Sequence, residues 1–384
     1  MKIGPLEFKA FAAKKPLTLT QDQAAYLTAS EVAADAARPR SLPTKLPLAQ
    51  QVQLTVDRLA LEPEFRYGNL NGDVYTKDEL IHHVQERTKL GLHVVRTEMA
   101  YCDELIAGVL APTKPKAARR RRRAAVKELA PRLIKKCFWF PLHNRVVFCE
   151  CTTDGTTQPF ADWRIANVHP AFAARGFHVH ALTGADDVRA MFVPEATYAH
   201  TVYLGGVGHG AYTYYTGHWP AGAAHRDRIL EVGVYAPEEV DGRSIHLLSC
   251  ETGRDLGPDT VAHGAGSFGG YQENFNLIWD ENGVSMWELF AEADAAWDLS
   301  MAAGDTAQEA HDATVAAFNA AIASVPGTLT AAVLTQDRND LVLSGDSLAT
   351  ISPHYWVRVC WPFPFPLERE MINAGEVHKA PPVR

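Results

Sequence analysis

Two stretches decide the fold: Thr201-Val-Tyr-Leu-Gly-Gly-Val-Gly-His-Gly210 and Ser244-Ile-His-Leu-Leu-Ser-Cys-Glu-Thr-Gly253. Each begins as a short apolar run of strand type and ends on a residue that can do chemistry. Arg145-Val-Val-Phe-Cys-Glu-Cys-Thr-Thr153 and Phe177-His-Val-His-Ala-Leu-Thr183 add two more such runs. Between the runs the pattern predicts helices over 162–175, stopped by Gly176, and over 186–192. Apolar strands alternating with helices predict an α/β fold, a mostly parallel sheet with helices on both faces. Two Ala-rich helices over 286–303 and 306–324, then a strand over 340–344, close the unit.

In an open parallel sheet the reactive groups sit just past the carboxyl ends of the strands. If the third and fourth strands are neighbours, His209 and Cys250 emerge side by side on one rim. A free thiol is only a few per cent ionised at neutral pH, so a nearby imidazole must take its proton. Attack on an amide carbonyl also creates an oxyanion, which preorganised backbone N–H groups stabilise. The amides of Gly210 and Cys250 are the candidates for that role, and the glycines around His209 let the backbone approach a substrate closely.

The pattern of an apolar strand ending in His-Gly, then an apolar strand ending in Cys, resembles the caspase–gingipain superfamily of cysteine peptidases. The His209-to-Cys250 interval is close to the roughly 50 residues of the caspase arrangement. Ser249-Cys250-Glu251-Thr252-Gly253, with Gly264-Ala-Gly-Ser-Phe-Gly-Gly-Tyr271 and Leu343-Ser-Gly-Asp346, is similar to the CHAT branch. The resemblance covers about residues 144–350. It implies a caspase-like three-layer sandwich and a Cys-His dyad, His209 as general acid/base and Cys250 as nucleophile, with no cofactor. It further implies a side-chain pocket lined by Asp154, Leu248 and the Trp279-Asp280-Glu281 stretch. Carboxylates there would favour Arg or Lys before the cut bond. Leu248 departs from the acid that metacaspase-like enzymes place two residues before the Cys.

The rest of the chain divides around that unit. Residues 1–140 read as an N-terminal extension, loosely ordered to about 55 and then helical over 76–87 and 96–109. Thr76 and Glu79 form a capping box at the first of these helices. Residues 111–131 read as a basic connector, 141–352 as the peptidase domain, and 353–384 as a Pro- and aromatic-rich tail that wraps the surface. The connector carries Arg119, Arg120, Arg121, Arg122 and Arg123, which would be a cleavage site in a zymogen or else a solvated basic patch.

Composition bounds the function. The chain has 384 residues, 47% hydrophobic and 21% charged, which is globular rather than disordered. A net charge of −8 argues against a dedicated nucleic-acid binder. No apolar run is long enough to span a membrane, no secretory leader is apparent, and six dispersed cysteines fit a reducing cytoplasm. The partners expected are a protein or peptide substrate and an activating protein. Asn69–Glu79 fails as a calcium loop, lacking the sixth-position Gly and placing its Glu one residue early. Cys149 and Cys151 read as core, His209, His218 and His225 are too dispersed for a helical zinc pair, and 205–210 matches no nucleotide loop. The expectation is therefore a cysteine endopeptidase. The alternatives are an inactive caspase-like scaffold or binding module and, more weakly, a nucleic-acid-associated protein using the Arg run.

Overall fold

The computed structural model describes residues 43–107, 137–219 and 226–360, together with a strand pair formed by Glu7–Lys9 and Pro16–Thr18. The Arg119–Arg123 run, His225 and the tail beyond 360 lie outside the described residues. The N-terminal part builds α1 (Leu48–Leu61), β1 (Phe65–Asn69), β2 (Val74–Thr76), α2 (Lys77–Gln85) and α3 (Lys89–Ala107). The larger part follows with β3 (Arg145–Glu150), α4 (Gln158–Asn167), β4 (His178–Thr183), β5 (Thr201–Val207), β6 (His209–Ala211) and β7 (Ser244–Leu248). It closes with β8 (Ser267–Tyr271), β9 (Asn276–Glu281), α5 (Trp287–Ala303), α6 (Ala307–Ser324), α7 (Leu329–Asp340) and β10 (Leu341–Gly345).

The central sheet runs β10-β8-β7-β5-β3-β4, and every pair is parallel except β8 with β10. Alternate residues of its strands enter two separate cores, as a period of two requires. Val146, Phe148, Tyr203, Leu248 and Tyr271 pack with α5, whereas Val147, Cys149, Leu204, Leu247 and Phe268 pack on the opposite face. The result is a helix–sheet–helix arrangement of three layers. Strand β3 has β4 on one side and β5 on the other, so the chain reverses direction across the sheet between β3 and β5. That switch point is where α/β sheets open a crevice.

Several expected boundaries move. The extension is ordered from well before residue 55, α3 starts at Lys89, and the predicted 162–175 helix is two, Gln158–Asn167 and His169–Ala174. Pro170 has no N–H to continue the first helix but suits the opening turn of the second. The N-terminal part is also not helical alone: β1 pairs antiparallel with β9, giving a four-stranded sheet of Val284–Ser285, β9, β1 and β2. Helix α3 packs on α7, where Glu104 meets Arg338 at 2.5 Å. The Thr76–Glu79 capping box is present as read. Past the expected 353 boundary, His354–Cys360 pairs with Cys137–His143.

Candidate active site at the carboxyl ends of the central strands

Residues Leu248 of β7 and Val207 of β5 are register partners, so the chain leaves these adjacent strands at one level of the rim. His209 and Cys250 follow. The backbone beside His209 meets that of Cys250: a Cβ placed on Gly210 would run into the Cys250 carbonyl oxygen and the Thr252 methyl. Glycine at 210 thus serves close approach of two protein segments. The same holds for Gly206, where a Cβ would meet the Cys149 carbonyl, rather than the approach to substrate expected from the sequence.

The side chains part company. Imidazole 209 is 5% exposed and borders a cavity of ≈ 340 Å³ that Tyr214, Trp219, Arg226 and Glu251 also line. The Cys250 thiol turns the other way. It is wholly buried in the α5-side core, 3.9 Å from the Phe275 carbonyl oxygen, and burial pushes its pKa up to about 12. Glu251 takes the left-handed conformation (φ 62°), sparsely populated for a residue with a Cβ, at the position that sends the chain away from Cys250. The expected meeting of thiol and imidazole is therefore a meeting of backbones only in this conformation.

What touches His209 is Asp154. His209 Nε2 lies 2.9 Å from Asp154 Oδ2, Arg226 Nη1 lies 2.9 Å from the same oxygen, and Cys151 Sγ lies 3.3 Å from it. The other carboxylate oxygen accepts from the Thr156 and Thr157 amides, each at 3.0 Å. Burial alone would raise the Asp154 carboxyl. The His209 contact and the Thr157 bonds outweigh it and hold the group well below the ordinary carboxylate range. As an ionised acceptor, Asp154 fixes the proton of His209 on Nε2 and leaves Nδ1 as the basic nitrogen.

The side-chain pocket implied by the resemblance does not assemble. Asp154 is committed to His209 and Arg226, Leu248 is fully buried core, and Asp280 pairs with Arg66 at 2.6 Å. Asp280 does border a second cavity of ≈ 500 Å³ with Gly155, Thr156, Trp279 and Trp287. Its charge is already neutralised there. Cys151, expected as core, is buried but also lies against Asp154, and Arg226 was not expected at the site. A signal for Cys151 was available, since it follows directly on the end of β3 and stands three residues before Asp154. None existed for Arg226, which arrives from a loop.

Among the described residues, two clusters bring possible metal donors within 4.8 Å of one another: Cys151, Asp154 and His209, and His246, Asp294 and Asp298. The first offers sulfur, oxygen and nitrogen donors that would suit zinc, with Arg226 competing for the carboxylate. In the second, a cation is supplied by the protein itself. Arg164, 1% exposed, reaches Asp298 at 2.8 Å, Asp294 at 3.5 Å and Glu150 at 3.2 Å. Glu150 in turn accepts from the Val207 amide at 3.2 Å, two residues before His209. The buried network thereby braces the strand end that carries the imidazole. No family model, curated protein or solved structure matches the chain.

Proposed function

We propose that the chain is a latent cysteine endopeptidase with a caspase-like core. The single observation that carries this reading is the pairing of β5 with β7, whose carboxyl ends lead into His209 and Cys250 at one rim, with Gly210 packed against the Cys250 carbonyl. Asp154 on Nε2 prepares Nδ1 of His209 to accept a proton. In the reaction, Nδ1 takes the Cys250 thiol proton as Sγ attacks the peptide carbonyl carbon. The proton passes to the amine as the C–N bond breaks, leaving a thioester. Water, deprotonated by His209, then hydrolyses the thioester and frees Cys250. Gly210 and Cys250 remain the residues whose amides would meet the oxyanion. With Asp154 and Asp280 both paired, the reading carries no preference for basic side chains.

The test is hydrolysis of a peptide library by the purified chain, before and after limited tryptic cleavage at the Arg119–Arg123 run. Turnover that disappears in both Cys250→Ala and His209→Ala is the expected result. Turnover that survives in Cys250→Ala, or is absent from wild type in both states, overturns the proposal.

A second reading has its own support. The complete burial of Cys250 favours a caspase-like scaffold without catalysis, for which a thiol-directed peptidyl probe would fail to label Cys250 in either state.

A further inference from the structure

We propose that the loop Leu70-Asn71-Gly72-Asp73, between β1 and β2, is an autoinhibitory plug over Cys250. The inference rests on the peptidase reading and names how that site is kept closed. Leu70 is fully buried and belongs to the same apolar cluster as Cys250 and Phe275. Its N–H donates to the Phe275 carbonyl at 3.2 Å, the oxygen that the Cys250 thiol also faces. A segment that reaches the rim from the N-terminal part of the chain therefore covers the sulfur.

The loop also divides the space around the site. Asn71 lines the ≈ 340 Å³ cavity that holds His209, Gly210 and Glu251. Gly72, one residue on, lines the ≈ 500 Å³ cavity that holds Thr156, Trp279 and Asp280. In the proposal, withdrawing Leu70–Asp73 uncovers Cys250 beside the cavity that His209 borders.

The plug is stiff and removable as a unit. Asn69 Oδ1 accepts from the Asn71 amide at 2.9 Å, and its side-chain nitrogen donates to Asp73 at 3.1 Å, so the loop holds its own shape. Asn71, Gly72 and Asp73 are exposed, and only Leu70 is seated in the core. What keeps the loop in place is the β1–β9 pairing and the packing of α3 on α7.

The test uses the full chain with two alterations: Leu70→Ala, and residues 69–73 replaced by an Asn-Gly turn. Each is read by iodoacetamide alkylation of individual cysteines, followed by mass spectrometry, and by peptide hydrolysis. Cys149, buried in the core on the opposite face of the sheet, reports general loosening. The plug predicts that Cys250 alkylates about tenfold faster or more while Cys149 does not change, because only the local cover has opened. Hydrolysis should rise in the same variants. Selective alkylation of Cys250 without hydrolysis in either variant retains the plug over the thiol and overturns the peptidase reading. If Cys250 stays as slow as in wild type, or accelerates only in step with Cys149, in both variants, the plug is overturned whatever the hydrolysis shows.

Discussion

Asp154 shows how one side chain changes meaning between sequence and structure. Read along the chain, it is an acid after a strand, suited to a substrate's guanidinium. In space it is the group that holds His209 Nε2. Replacing it with Asn keeps an oxygen for the Thr156 and Thr157 amides but can turn an N–H donor toward the imidazole. The imidazole then presents the wrong tautomer to the thiol. On the proposed peptidase reading, Asp154→Asn is expected to lower kcat of the opened form about a hundredfold with KM little changed, and Asp154→Glu to restore part of it. A KM effect without a kcat effect would return Asp154 to substrate binding.

At the scale of elements, β5 and β7 were legible because their apolar runs end in glycine and in reactive residues. Strand β8 was not. Ser267-Phe-Gly-Gly-Tyr271 has two consecutive glycines where a central strand normally carries branched residues. The reason is the indole of Trp297 on α5, fully buried beneath the strand. A Cβ on Gly269 would lie 2.6 Å from its Cζ2. Gly269→Ala is therefore expected to destabilise the fold by about 1–3 kcal/mol through overpacking. A urea midpoint that is unchanged or raised would show that α5 can yield. Helix α7 escaped notice for a related reason: eight of its residues are buried, so it lacks the polar face that marks a surface helix.

Across the whole molecule, the buried network ties together elements far apart in the chain. His246, fully buried, lies 3.2 Å from Asp298 and 3.4 Å from Asp294, and it stacks on Trp297. Burial would lower its pKa, but the two carboxylates raise it from 6.5 to about 9. A group whose folded pKa is raised contributes stability that is complete below its unfolded value and is lost as pH climbs through the folded one. The contribution should fade between pH 6.5 and about 9. Its size is a few kcal/mol at most. Asp298 works in the opposite sense. Burial acting alone would raise it, but Arg164 and His246 hold it low, so its contribution is lost only on acidification. Urea unfolding across the alkaline window should show the midpoint falling in wild type and a shallower fall in His246→Gln. A midpoint level from pH 6.5 to 9 would overturn this assignment.

Local pattern was enough to read the apolar strands, the helices between them and the places of His209 and Cys250 just past two strand ends, while the pairing of β5 with β7 made those ends neighbours. What could be read locally rests on periodicity and on short-range chain geometry. Only the tertiary structure decided where the side chains point. It turned Cys250 into the core, gave Asp154 to His209, paired Asp280 with Arg66 and brought Leu70 into the core that holds the thiol. Each of these depends on contacts between segments distant in the chain, where packing and desolvation override what any local pattern encodes.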